Sequence, residues 1–226
     1  MTGPLSAPPI IEPPRDCPRC PRLVALRHEL RAVHPDWWNA PVPGFGDPQA
    51  WLLIVGLAPG LNGANRTGRP FTGDYAGVLL FATLGKFGLA EGSYGADPAD
   101  GLRLTGAMIG NAVHCLPPAN KPEPVEIHSC RPFLEQRVAA LPNLTTVIAL
   151  GQIAHQSAVK ALGGKLPKYR FGHGARHVMP SGIVLYDSFH CSRYNTNTGR
   201  LTTAMFESVF EAAVTERAQM SCANRP

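Results

Sequence analysis

Chemistry in this 226-residue chain is concentrated in three polar stretches and two pairs of cysteines. Gly56 to Gly77 reads GLAPGLNGANRTGRPFTGDYAG, with glycines at 56, 60, 63, 68, 73 and 77. Among them stand Asn62, Asn65, Arg66, Arg69, one aromatic (Phe71) and one carboxylate (Asp74). Glycine permits positive φ and close approach of another molecule. The stretch is therefore suited to hold a planar polar ring and a phosphate. A passive surface loop is the competing reading, but loops this long are uncommon unless functional or disordered. The second stretch is Asn111-Ala-Val-His-Cys115-Leu-Pro-Pro, and the third is Asp187-Ser-Phe-His190-Cys-Ser-Arg-Tyr194-Asn195-Thr-Asn. Asn111 offers both a donor and an acceptor. His190 can donate or accept a proton near neutral pH.

Cys17 and Cys20 form C-x2-C, and Cys115 and Cys130 form C-x14-C. Two thiolates from a short turn and two from a distant loop and helix can enclose one metal centre. Zinc and an iron–sulfur cluster both accept four thiolates, and the spacing leaves both open. Four unrelated buried cysteines are the bland alternative. Cys191 and Cys222 make no second pair. Cys191 stands beside His190, which admits a weak thiol-nucleophile reading.

The elements that must position these groups follow from apolar periodicity. Short apolar runs at 51–55, 105–113, 145–150 and 183–186 predict four strands. Helices are expected from the Cys17–Cys20 turn to about 33, then over 78–87, 122–141, 152–162 and 201–219. Strands that alternate with helices predict an α/β/α sandwich with a mainly parallel sheet. The three polar stretches each leave the carboxyl end of a strand, so in a parallel sheet they converge on one edge.

Taken in order, GLAPG…GRPFTGDYAG, NAVHCLPPANKP and HCSRYN, with C-x2-C ahead and C-x14-C, resemble the family 5 (type b) uracil-DNA glycosylases. The resemblance covers about residues 17–215. It implies a three-layer α/β/α sandwich with a four-stranded parallel sheet and a [4Fe–4S] cluster on Cys17, Cys20, Cys115 and Cys130. It also implies monofunctional excision of uracil and other deaminated bases from DNA in base excision repair. Phe71 occupies the position that stacks on a flipped base, and Asn111 the position that reads its edge. Asp74 matches the water-orienting carboxylate, and His190 the histidine that opens the third motif. Gly56 and Ala58 belong to the base-binding loop. Gly60, Gly63, Arg66, Tyr194 and Asn195 are expected at DNA. Ala58 stands where the commonest relatives carry Asp or Asn. The third motif reads His-Cys-Ser where many relatives have His-Pro-Ser.

A physical account of the residues runs the same way. A base in a duplex must be extruded before an enzyme reaches its sugar bond. Phe71 supplies a π-face and Asn111 a hydrogen-bonding edge. Breaking the bond leaves an anionic base that needs a donor, for which His190 is the candidate. Asp74 can orient water on the other face. No lysine falls in the first or third stretch to attack the sugar as a Schiff base.

Net charge is +5 and arginines outnumber lysines, which favours an anionic partner. Lys165, Lys168, Arg170, His173 and Arg176 make the segment 163–176 basic. No apolar run approaches a membrane span, and no secretory pattern opens the chain. A cytoplasmic monomer is expected, acting on double- and conceivably single-stranded uracil-containing DNA, with a sliding clamp as a conceivable partner. Residues 1–15 are expected to be a flexible Pro-rich arm, 16–219 the single domain and 220–226 a tail. The alternative function is a non-catalytic iron–sulfur nucleic-acid-binding protein, which would need neither Asp74 nor His190.

Overall fold

In chain order the strands are β1 (Phe45–Gly46), β2 (Leu52–Gly56), β3 (Ala90–Glu91), β4 (Arg103–Leu104), β5 (Ala107–Asn111), β6 (Thr146–Leu150), β7 (Arg176–Val178) and β8 (Val184–Ser188). The helices are α1 (Pro21–Val33), α2 (Ala64–Thr67), α3 (Tyr75–Lys86), α4 (Pro124–Ala140), α5 (Gln152–Ala161), α6 (Arg193–Asn197) and α7 (Thr203–Ala223). These come from a computed structural model that describes residues 9–223.

Every residue of β2, β5, β6 and β8 is buried. A parallel sheet covered on both faces requires this, and it explains why these strands are continuous apolar runs. On β2, Leu52 and Ile54 pack with Leu80 and Leu84 of α3 and Phe206 and Phe210 of α7. Leu53 and Val55 point the other way, into Leu134 of α4 and Ala154 and Ala158 of α5. Helices thus cover both faces, as the expected sandwich requires.

The sheet order is β1-β5-β2-β6-β8-β7, with the inner four strands parallel. From β2 the chain crosses to β5 on one side and then to β6 on the other. That reversal opens a crevice at the carboxyl ends of the strands, where ligands bind in such sheets.

The sheet has six strands rather than the four expected, because β1 and β7 add antiparallel edges. β1 is two residues long and β7 begins at the end of the basic segment, with no strand expected at either place. Neither is long or apolar enough to show a period. Gly46 has φ 139°, and a Cβ there would overlap the Ala107 carbonyl, so only glycine lets β1 meet β5. The first polar stretch also contains the one-turn helix α2.

The Pro-rich segment is tied down at its far end. Ile10 packs on the core, and Glu12 accepts from Arg137 Nη2 at 2.7 and 2.6 Å and from the Gly44 amide at 3.0 Å. Residues 1–8 of the expected arm lie outside the described residues. Helix α7 continues to Ala223, beyond the expected end at 219, and residues 224–226 of the expected tail lie outside the described ones. The Cys222 side chain is also outside them. No described helix is long and apolar enough to cross a membrane.

Candidate active site

A cavity of about 550 Å³ opens at the carboxyl ends of β2, β5 and β8. Ala58, Gly60, Gly63, Phe71, Asp74, Asn111 and His190 all line it, so the three polar stretches converge as expected.

Its floor is made by close approach. A Cβ on Gly56 would lie 2.7 Å from Phe71 Cζ and would overlap Asn111 Oδ1. Glycine at 56 therefore lets the ring and the amide share one wall. Phe71 has φ 55°, a left-handed conformation that is unusual for a bulky residue. It is over-determined by its surroundings, as strained site residues must be. The Tyr94 hydroxyl donates to the Phe71 carbonyl at 3.1 Å and accepts from the Gly73 amide at 3.2 Å. Gly77 of α3 abuts the same carbonyl.

Asn111 ends β5 and is 4% exposed. Its side-chain amide has no hydrogen bond to the described residues, which is rare for a buried amide and leaves it available to a ligand. The His190 ring lies 5.9 Å from the Phe71 ring at 24°, and its nitrogens likewise have no protein partner. Burial pushes the His190 imidazole down to about 4, so it is neutral at pH 7.

Asp74 is the N-cap of α3, and its Oδ1 accepts from the Gly77 amide at 3.3 Å. Oδ2 turns toward the Gly60–Gly63 loop, 2.5 Å from where a Gly63 Cβ would stand. Gly63 thus makes room for the carboxylate more than for a phosphate. Burial raises the Asp74 pKa against the pull of the Gly77 and Ala76 amides.

Other polar residues of the stretches have structural tasks. Arg69 is fastened to Asp100 by two bonds of 2.7 Å, and Asn65 donates to Asn39 at 2.9 Å. Arg66 remains exposed on α2. Asn195, expected at DNA, donates from Nδ2 to the His190 carbonyl at 2.8 Å and so positions the histidine. Tyr194 is 72% exposed and follows Arg193, which lines the cavity. Cys191 is fully buried, donates to the Ala76 carbonyl at 3.5 Å, and its thiol is pushed up by burial. That removes the thiol-nucleophile reading, because a nucleophile must be a reachable thiolate.

Sequence reading missed Tyr94, Tyr75, Asn120 and Arg193. The last three line the cavity, and Arg193 lies 5.3 Å over the Tyr75 ring at its mouth. Tyr94 falls in a polar loop, where no period marks it.

Beneath the third stretch, His155 Nδ1 meets Asp187 Oδ1 at 2.7 Å and its Nε2 meets the Tyr169 carbonyl at 3.0 Å. With Asp187 ionised both partners are acceptors, an arrangement that favours the imidazolium form. Burial, the largest single influence, lowers the His155 pKa, but the hydrogen bond to Asp187, its negative charge and the Tyr169 carbonyl together outweigh it and the net shift is upward. Asp187 also accepts from His177 at 3.2 Å and from the Gly172 amide at 3.3 Å. The cluster fastens the basic segment to the strand that leads into His190. A raised folded pKa contributes stability that is complete below the unfolded value of about 6.5 and is lost as pH rises through the folded value. Urea unfolding should therefore show wild type losing stability relative to His155→Gln as pH rises above about 6.5. Parallel curves would mean that the ring is neutral.

All four paired cysteines line one narrow cavity between α1, α4 and the loop after β5. Arg22 on α1 donates to Glu126 on α4 at 2.8 and 2.7 Å, clamping the elements that carry them. Burial pushes the thiols of Cys115 to about 11 and Cys130 to about 12. The His114 amide donates to Cys130 Sγ at 3.3 Å, and its ring Nδ1 is bonded to the Val42 carbonyl at 2.8 Å, which makes His114 structural. Ala58, which lines the 550 Å³ cavity, packs in the same cluster as Cys115, Cys130 and Val113, so the two cavities share a wall.

A family model described as the uracil DNA glycosylase superfamily matches residues 43–214. The chain belongs to that superfamily. It is similar to a type-5 uracil-DNA glycosylase of Thermus thermophilus, 45% identical over 87% of this chain and 92% of that protein. A type-5 uracil-DNA glycosylase of Pyrobaculum aerophilum is 37% identical over 89% of each. A type-4 uracil-DNA glycosylase of Sulfurisphaera tokodaii is 28% identical over 78% of this chain and 76% of that protein. The matched span contains Gly56, Phe71, Asp74, Asn111 and His190, and all the residues that line the cavity of this superfamily member.

Proposed function

We propose that this chain hydrolyses the N-glycosidic bond of uracil, and of other deaminated bases, in DNA. One observation carries the reading. An unpartnered Asn111 amide, the Phe71 face, a neutral His190 ring and one free oxygen of Asp74 meet in a cavity of about 550 Å³. A flipped base would stack on Phe71 and present its polar edge to Asn111. His190 would donate to the base as it leaves with negative charge, and Asp74 would hold the water that attacks the sugar. Both named type-5 relatives are uracil-DNA glycosylases, and a non-catalytic binder has no use for the last two groups. Arg66, Tyr194 and the exposed Lys165, Lys168 and Arg170 would meet the DNA around the mouth.

Cys17, Cys20, Cys115 and Cys130 would hold a [4Fe–4S] cluster, which supplies a staple between α1, α4 and the Asn111 loop. No three of the four sulfurs lie within 4.8 Å of one another, whereas thiolates around one zinc stand about 3.8 Å apart. Aerobically purified protein should be brown and contain iron and acid-labile sulfide, and Cys115→Ala should lower iron and solubility together. Colourless protein with stoichiometric zinc would sink the cluster.

The reaction is tested by incubating purified protein with a labelled duplex that contains U·G, then adding alkali. Strands should stay intact until alkali, because no lysine lines the pocket. Borohydride trapping of a protein–DNA adduct would refute the hydrolytic mechanism.

A further inference from the structure

Arg27 stands on α1, two turns beyond Cys20, and is 5% exposed. Its Nη2 donates to the Cys17 carbonyl at 3.1 Å. Its Nε and Nη1 are buried without an acceptor, and among the described residues no carboxylate pairs with it. The other buried arginines each have a carboxylate partner, Arg69 in Asp100 and Arg137 in Glu12, although Arg137 Nη1 also lacks an acceptor. A buried cation without a counter-ion is strongly disfavoured. Arg27 lines the same cavity as Cys17, Cys20, Cys115 and Cys130. The partner its free N–H groups require is therefore an anion inside that cysteine cage.

We propose that Arg27 is the counter-cation of the cysteine-bound centre, donating from its unpartnered Nε and Nη1 to sulfur. The inference rests on the cluster reading above. A cluster with four thiolates carries net negative charge, and a planar guanidinium with several donors suits two sulfurs at once. The task is positional: Arg27 ligates nothing, but it retains the centre and biases it toward its more negative state. Outer partners of this kind typically change metal retention by about 10–100-fold. Hydrogen bonds to the sulfurs also set reduction potentials.

The test compares wild type, Arg27→Lys and Arg27→Met, purified without oxygen. Iron and acid-labile sulfide are measured first. Loss of visible absorbance is then followed under excess iron chelator, and the midpoint potential is titrated with dithionite as the one-electron reductant. Arg27→Met should release iron about 10–100-fold faster than wild type and shift the potential downward, since added negative charge loses its nearby cation. Arg27→Lys should fall between them, because it keeps the charge but not the fork. It decides the matter alone if the methionine variant does not accumulate. Wild type without iron and sulfide overturns the cluster reading. Cluster-bearing wild type matched by the variants in both release rate and potential overturns the Arg27 assignment alone.

Discussion

Replacing His190 with alanine should lower the single-turnover rate of uracil excision by about 10²–10³-fold, the usual cost of one lost donor to a developing anion. The position of the ring is compatible with that task. It faces the cavity beside Phe71, and both its nitrogens lack protein partners. Its backbone carbonyl is held by Asn195, so the imidazole is aimed without being engaged. Burial pushes its pKa down to about 4, so the donor is a neutral imidazole, which polarises an oxygen without first taking a proton from solvent. Wild-type single-turnover rates should accordingly show no inflection near pH 6.5. The linkage has a definite sign. The unfolded ring binds protons at about 6.5 and the folded ring only near 4, so His190 erodes native stability as pH falls between those values. Removing the ring should therefore slow excision and flatten the acid limb of the stability profile together. A His190→Ala rate within a few-fold of wild type would remove His190 from the mechanism, and a wild-type rate that titrates near 6.5 would mean that burial does not hold the ring neutral.

Asp74→Asn should cost about 10²-fold in the same rate, the low end for a positioned general base. Ala58 leaves the first loop without a side chain that could bind water, and Asp74 is the acid that faces the loop from the start of α3. Its two oxygens have separate tasks. Oδ1 caps the helix through the Gly77 amide, and Oδ2 looks across Gly60 and Gly63 into the cavity. Asparagine is as good a cap as aspartate. Asp74→Asn therefore isolates the chemistry, whereas Asp74→Ala would also remove the cap. Burial raises the carboxyl pKa, so the acid limb of the wild-type rate should lie above pH 3.8 and should vanish in the asparagine variant. Both His190 and Asp74 variants should bind abasic-site DNA nearly as wild type does, because neither residue is assigned to phosphate contacts. Wild-type single-turnover rates for Asp74→Asn on a U·G duplex would assign the water to the loop amides instead.

Composition and pattern alone determined the layer architecture of this protein. Its four inner strands are apolar throughout because both faces of a parallel sheet are covered, and that signal needs no partner to be seen. The convergence of Phe71, Asp74, Asn111 and His190 was legible too, because each follows or ends a strand whose carboxyl end shares one edge. Tertiary structure decided what distant partners do. Asn195 turned inward to His190, Arg69 was claimed by Asp100, and Cys191 was sealed under α3. Tyr94 locks the Phe71 carbonyl from a polar loop 23 residues away. Glu12 meets Arg137 across 125 residues and converts the end of an expected arm into part of the fold. The edge strands β1 and β7 belong to the same class, being short stretches fixed by the ladder beside them. In each case a side chain or backbone group takes whichever partner the folded core brings within about 3 Å, and spacing along the chain carries no record of that encounter.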